Sequence, residues 1–135
     1  MNLVVRLVVN IDVDDLENGI RFYEDGLGLR LERRLFDGTV AEIHGASSKI
    51  YLLERPTGST ATPDVARTYA RHWTPVHLDL IVEDVEAAAA RAEAAGAKRE
   101  TVMRSYAWGE FITMSDPFGH GFCLLRFRNQ DYGAS

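Results

Sequence analysis

The chain has one cysteine, Cys123, in 135 residues, which excludes an internal disulfide and fits a reducing compartment. It has no lysine or arginine run, and 15 Lys+Arg against 20 Asp+Glu leave a formal net charge of -5, so a nucleic-acid partner is not expected. No stretch approaches a membrane span in length. The opening MNLVVRLVVNIDV lacks the basic start, long apolar core and small-residue cleavage site of a secretory leader. A cytoplasmic chain with no membrane partner is expected. Serines cluster in turns without a positioned His–Asp pair, and no glycine-rich loop resembles a phosphate cradle. No catalytic residue is assigned on these grounds.

What is present is ordinary globular material: 46% hydrophobic and 26% charged residues, enough for one compact domain over 1–135 with a real core. Leu3 to Val13 reads as a strand, after which Asp14 or Asp15 caps a helix with Glu17 in its first turn. Leu16, Ile20, Tyr23 and Leu27 share one helical face, and Gly26 and Gly28 end the helix. Three short strands follow, at Leu29 to Leu35, Thr39 to Ile43 and Ile50 to Leu53, with Asp37-Gly38 turning between the first two. Residues 55–74 read as a linker rich in Pro, Gly, Ser and Thr, with one or two helical turns over Val65 to Arg71.

The plan then starts again. Pro75 to Val82 reads as a strand, Asp84 as a cap, and Val85, Ala88, Ala92 and Ala95 as a helical stripe ending at Gly96. Strands are expected at Lys98 to Met103, Phe111 to Met114 and Phe122 to Phe127, the last two joined by an Asp116-Pro117-Phe118-Gly119 turn. Laid over each other, Leu7 to Glu17 falls on Val76 to Glu86, with Val13/Val82, Asp15/Asp84 and Glu17/Glu86 identical. The expectation is an α+β chain of two βαβββ modules, 3–54 and 75–128.

Strand alternation assigns the faces. Leu7, Val9, Ile11 and Val13, and later Leu78, Leu80 and Val82, form apolar rows that belong beneath the helices. The opposite rows, Val8-Asn10-Asp12 and His77-Asp79-Ile81, are mixed in polarity and are expected to line a concave cleft. On the last strand, Phe122 and Leu124 are expected to bury on one face, while Cys123, Leu125 and Phe127 meet something else.

The paired modules, Phe22-Tyr23 followed by Gly26-Leu27-Gly28-Leu29, the start His77 to Asp84 and the Asp-Pro-Phe-Gly ending together resemble the vicinal oxygen chelate superfamily. Its members include glyoxalase I, extradiol dioxygenases, fosfomycin-resistance thiol transferases and bleomycin-resistance proteins. The resemblance implies the glyoxalase/bleomycin-resistance/dioxygenase fold, with a curved mixed sheet around a cleft and a homodimer as partner state. In the enzymatic members four residues on the cleft strands bind a divalent metal. Carried over, the second-module histidine matches His77, the first-module histidine falls on Val8, and the second-module glutamate falls on Cys123. The first-module glutamate falls on Tyr51 or Leu53, with Glu54 one residue off and on the other face.

With two or three of the four ligands gone, the resemblance implies a degenerate metal site. Asp79 and Asn10, neighbours on the same face, are the residues that could complete an unusual one. Trp108-Gly109 ahead of the Asp-Pro turn resembles the bleomycin-resistance branch, whose members hold a drug without metal. The implied function is binding of an aromatic or amphipathic small molecule, for sequestration or sensing, without catalysis and without a cofactor. The ligand-binding set is His77, Asp79, Asn10, Trp108, Phe111, Cys123 and Tyr51. The alternative is a divalent-metal lyase, dioxygenase or thiol transferase with an atypical site around His77. Beside these, His77 is equally read as a satisfied half-buried histidine, Cys123 as a small core hydrophobe, His120 as an exposed turn residue, and His44 and His72 as side chains with no partner pattern.

Overall fold

The computed structural model describes residues 5–133. The chain forms two compact units, one running to Glu24 and resuming over Gly28–Thr68, the other comprising Asp25–Leu27 and the chain from Tyr69 onward. The first repeat consists of β1 (Val9–Val13), α1 (Leu16–Arg21), β2 (Arg30–Leu35), β3 (Val40–His44) and β4 (Ile50–Glu54). Its sheet order is β1-β4-β3-β2, with β1 parallel to β4 and the remaining pairs antiparallel. A small antiparallel hairpin follows, β5 (Thr60–Thr62) and β6 (Val65–Ala66).

The second unit follows the same plan with β7 (Leu78–Ile81), α2 (Val85–Ala94), β8 (Lys98–Arg99), β9 (Arg104–Tyr106), β10 (Gly109–Ser115) and β11 (Gly121–Phe127), except that two short strands, β8 and β9, pair with β10 where the first unit has the single strand β2 beside β3. Its order is β7-β11-β10-β8, with β9 also paired to β10, and β7 runs parallel to β11. This is the mixed α+β fold expected from the sequence. Among the described residues, no helix is long and apolar enough to cross a membrane.

Local chemistry repeats as well. Asp15 and Asp84 adopt nearly the same extended conformation, φ -138 and ψ 105 against φ -141 and ψ 105. Each carboxylate accepts from a backbone N–H three residues on, Asn18 and Ala87 respectively. Glu54 also serves the α1 N-terminus, where its Oε2 accepts from the Leu16 amide at 2.9 Å and satisfies a further donor. Gly19 lets α1 lie close to the sheet, because a Cβ there would meet Leu52 and Val13 at 3.3–3.4 Å. In β10, Gly109 is required by close approach, since an added Cβ would lie 1.8 Å from the Arg126 carbonyl oxygen.

Several expected boundaries differ. Residues 3 and 4 of the expected first strand lie outside the described residues, and pairing begins only at Val9, leaving Leu7 exposed. Val65 to Arg71 is not helical: Asp64 at φ 67 turns the chain after Pro63 and sends Val65–Ala66 back along Thr60–Thr62. Arg67 then holds the hairpin to β1 through a 2.6 Å bond from its Nε to Asp12. The α1 helix passes into a π-helical turn at Phe22–Gly26, which buries Phe22 alongside Tyr23. On α2 the buried residues are Val85, Ala89 and Ala92, with Ala88 and Ala95 only half-buried. The expected strand over Lys98 to Met103 shortens to two residues, and β9 follows it. Cys123 and Leu125 are buried like Phe122 and Leu124, because β11 is an interior strand flanked by β7 and β10.

Glu42 is a buried carboxylate, 2% exposed, in the middle of the first sheet. Its Oε1 accepts from Arg33 Nε at 3.0 Å, and its Oε2 lies 2.6 Å from His44 Nε2. Burial pushes this carboxyl upward, but the hydrogen bonds from His44 and Arg33 outweigh it and hold Glu42 below its ordinary value.

Three outcomes are expected in urea denaturation. Asp84→Ala costs about 1 kcal/mol and Asp84→Ser much less. Gly109→Ala is far more damaging than either, because the β10–β11 backbone must move. A lowered folded pKa means that the Glu42 contribution is complete above the unfolded glutamate value, about 4.3, and disappears as pH falls through the folded value. Glu42→Gln should therefore be less stable than the parent at pH 7, with the gap closing as the pH drops below about 4. A gap independent of pH would remove the charge of Glu42 from the account.

Candidate functional site

Because side chains alternate along a strand, each sheet has one face under its helix and one open face. In the first unit Ile11, Val13, Ala41, Ile43, Ile50 and Leu52 are buried. The alternate positions form the other face, where Asn10 pairs with Tyr51 across β1–β4 and Val40 with Leu53 across β3–β4. A groove of about 630 Å³ opens here, walled by Val8, Leu35, Phe36, Val40 and Leu53. Asn10, Tyr51, Thr39 and Arg55 supply its polar atoms. Asn10 and Tyr51, both expected from sequence, are brought together; the apolar wall was not anticipated beyond Val8 and Leu53.

The Glu42–His44–Arg33 cluster belongs to the same face, since Glu42 is the register partner of Tyr51. His44 thus has a partner, contrary to the expectation from sequence. Two strand residues on one face, a carboxylate and a histidine two apart, were the available signal, but a buried carboxylate is unexpected until its partners are seen.

The second unit presents different chemistry on the corresponding face. Asp79 pairs with Cys123 across β7–β11, and Cys123 with Thr113 across β10–β11. His77 precedes Asp79 by two residues, and its Nε2 lies 3.3 Å from Asp79 Oδ1. The donor atoms of His77, Asp79 and Cys123 all lie within 4.8 Å of one another. Burial pushes the Cys123 thiol upward; the nearby Asp79 charge adds to this and a bond with Thr113 opposes it. Trp73 covers the imidazole of His77 at a ring separation of 4.5 Å. Phe111 faces Leu125 one step along the same ladder. It packs with Trp108 at 6.1 Å in a cluster that also includes Tyr106, Phe127 and Tyr132.

His72 and His120 also find each other, with His120 Nδ1 3.0 Å from His72 Nε2 beside the Asp116 turn. The turn itself is held by Asp116 Oδ1, which accepts from the Phe118 and His120 amides at 2.8 and 3.0 Å. His120 is therefore half-buried in a bonded pair and not a free surface side chain.

The two ladders fix the correspondence between repeats. Asn10 with Tyr51 matches Asp79 with Cys123, so the first-repeat position equivalent to Cys123 is Tyr51 and not Leu53. The four metal-ligand positions implied by the resemblance are then Val8, Tyr51, His77 and Cys123. Val8 has no donor atom, and Glu54 is engaged at the α1 N-terminus, so the family's four-donor arrangement does not fit these residues. The His, Asp and Cys donors of the second unit do fit a site of three protein ligands with one open position.

Comparison with known proteins supports the same fold. A glyoxalase-related enzyme from Fulvimarina pelagi is 20% identical with a TM-score of 0.72, over 92% of this chain and 88% of that one. A glyoxalase/bleomycin resistance protein/dioxygenase from Nocardioides is 17% identical with a TM-score of 0.67, over 100% of this chain and 91% of that one. TnmS3, an antibiotic binding protein from Streptomyces sp. CB03234, is 22% identical with a TM-score of 0.67, over 94% of this chain and 98% of that one. No curated protein matches the sequence. The glyoxalase-like domain family matches over residues 8–125, so the repeated βαβββ chain described above belongs to the glyoxalase-like domain family.

Proposed function

We propose that the protein binds a small, partly aromatic or amphipathic molecule in the groove of the first unit, as a sequestering or sensing protein. The observation that carries this reading is the groove itself. At about 630 Å³ it lies within the range of drug-sized sites. Its wall is mainly apolar, with an amide at Asn10 and a phenol at Tyr51 placed to orient a ligand. Val8 and Tyr51 occupy positions where the metal-dependent relatives are expected to carry ligands, and here they make wall instead of coordination. The structural likeness to an antibiotic binding protein is consistent with this reading and does not identify the ligand.

The competing reading is a metal-dependent lyase, dioxygenase or thiol transferase. One observation favours it, the convergence of His77, Asp79 and Cys123. It does not need the groove of the first unit, so the two readings separate experimentally.

A thermal-shift screen of aromatic and amphipathic antibiotics and metabolites should yield ligands that stabilise the native protein. At a hundredfold excess over Kd the gain is about 2.7 kcal/mol. Leu53→Arg, which places a guanidinium in the groove, should abolish the shift while circular dichroism remains native. Tyr51→Ala should weaken binding about tenfold, the order of one lost buried contact. Ligands that bind Leu53→Arg as well as the parent would move the site out of this groove. His77→Ala should leave the affinity unchanged if the ligand is held by the groove alone.

A further inference from the structure

One wall of the first-unit groove is built in a way that the fold itself does not require. Phe36, at the tip of the β2–β3 hairpin, adopts φ 52, a backbone conformation that bulky side chains avoid. Asp37 follows at φ 55 and Gly38 at φ 83, so a large ring stands in a turn where Asn, Asp or Gly is the ordinary choice. The ring is also 76% exposed, so burial does not offset the unfavourable backbone. It lines the groove. A strained backbone that presents an aromatic ring to an open site points to contact with a ligand.

The same end of the groove carries its charge. Among the described residues that line it, Arg55 alone is charged, and it is half-buried. We propose that the ligand is an amphipathic organic anion, an aryl carboxylic acid, with its carboxylate held by Arg55 and its ring packed on Phe36. The inference rests on the groove being the ligand site, and it names the chemical class that the site selects.

Hydrogen bonds tie the two residues to one frame. The Arg55 amide donates to the Val13 carbonyl at 2.9 Å, and its Nη1 donates to the Glu54 carbonyl at 2.9 Å. A guanidinium has five donors in one plane, so it can serve a carboxylate alongside such a bond. The Glu54 amide donates to the Thr39 carbonyl at 2.9 Å. Thr39 in turn donates to the Phe36 carbonyl from its amide at 3.2 Å and its hydroxyl at 2.8 Å. The end of β4 that carries Arg55 is thereby joined to the turn that carries Phe36.

The surrounding charges favour an anion. Glu42 is engaged by Arg33 and His44, and Asp12 by Arg67. Glu54 is turned to the α1 N-terminus. Asp37 is exposed at the hairpin tip, where solvent and salt screen it. Lys49, whose carbonyl accepts from the Val9 amide, adds positive charge that acts on Glu42. A cationic ligand would meet the Arg55 guanidinium and no carboxylate among the lining residues.

Three matched probes test the assignment by calorimetry: biphenyl-4-carboxylate, its primary amide, and 4-phenylbenzylammonium. The carboxylate should bind at least tenfold more tightly than the amide, and the ammonium more weakly than either. Arg55→Met should weaken the carboxylate roughly ten- to hundredfold and leave the amide nearly unchanged, while Arg55→Lys keeps part of the preference. Lys49→Met, outside the groove wall, should change the carboxylate affinity little. Phe36→Asn, which suits the turn, should raise the urea midpoint yet weaken carboxylate and amide alike by roughly three- to tenfold.

Equal affinity for the three probes, or a carboxylate preference that survives Arg55→Met and disappears with Lys49→Met, would overturn the proposal. So would a Phe36→Asn variant that is less stable than the parent and binds as well. Tyr51→Ala separates these failures from that of the groove itself, because it should weaken every ligand held there whatever its charge. Probes that bind without charge preference but depend on Tyr51 would remove the anion and leave the groove as the site. Absence of carboxylate binding at millimolar concentration would also overturn the anion assignment, while screening hits that depend on Tyr51 would keep the groove.

Discussion

The parallel pairing of the first and last strand of each repeat is the constraint on which the remaining structure depends. Parallel neighbours cannot be joined by a tight turn, so the chain must leave β1 and β7, cross over as a helix, and return through antiparallel strands. That route places α1 and α2 on one face of their sheets. It also fixes the register that sets Asn10 against Tyr51 and Asp79 against Cys123. A slip by one residue would exchange the buried and open faces completely. The aspartate caps at the start of each helix and the glycines at close approaches serve this pairing by fixing where each crossover begins and where backbones can meet.

With the scaffold duplicated, the two open faces have diverged in chemistry. Equivalent ladder positions carry Asn and Tyr in the first repeat and Asp and Cys in the second. The first is lined by aliphatic side chains and encloses a groove, while the second gathers one imidazole, one carboxylate and one thiol. Apolar walls attract ligands through the area they remove from water, whereas clustered donors attract a cation through charge and coordination. A single glyoxalase-like domain therefore carries two chemically different open faces, each following from the alternation of one sheet.

Charged groups buried near these faces are tolerated because each has a partner. Glu42 is enclosed but receives Arg33 and His44, and Asp116 is enclosed but accepts two backbone amides of its own turn. An unpartnered carboxylate in either place would carry a desolvation cost that the fold could not absorb. The same need for partners explains Glu54. One residue beyond Leu53 it points to the helix face, where its carboxylate accepts from the Leu16 amide and helps to cap α1.

The sequence by itself determined the repeated βαβββ order, the N-cap at Asp84 and the strands that carry the candidate site, because apolar periodicity and turn residues act over a few positions. Alternation also put Asn10, His77, Asp79 and Cys123 on the faces turned away from the helices, since it needs only the strand and its parity, whereas Tyr51 stood only as one of two positions implied by the family resemblance. Tertiary structure decided which strand positions stand opposite each other, and so chose Tyr51 over Leu53 as the counterpart of Cys123. It also decided that Val65–Ala66 pairs as a hairpin strand, that His44 and His120 have partners, and that Cys123 is buried. These outcomes depend on contacts between residues far apart in the chain, whose register and burial are set by the ladder and by packing and not by any local pattern.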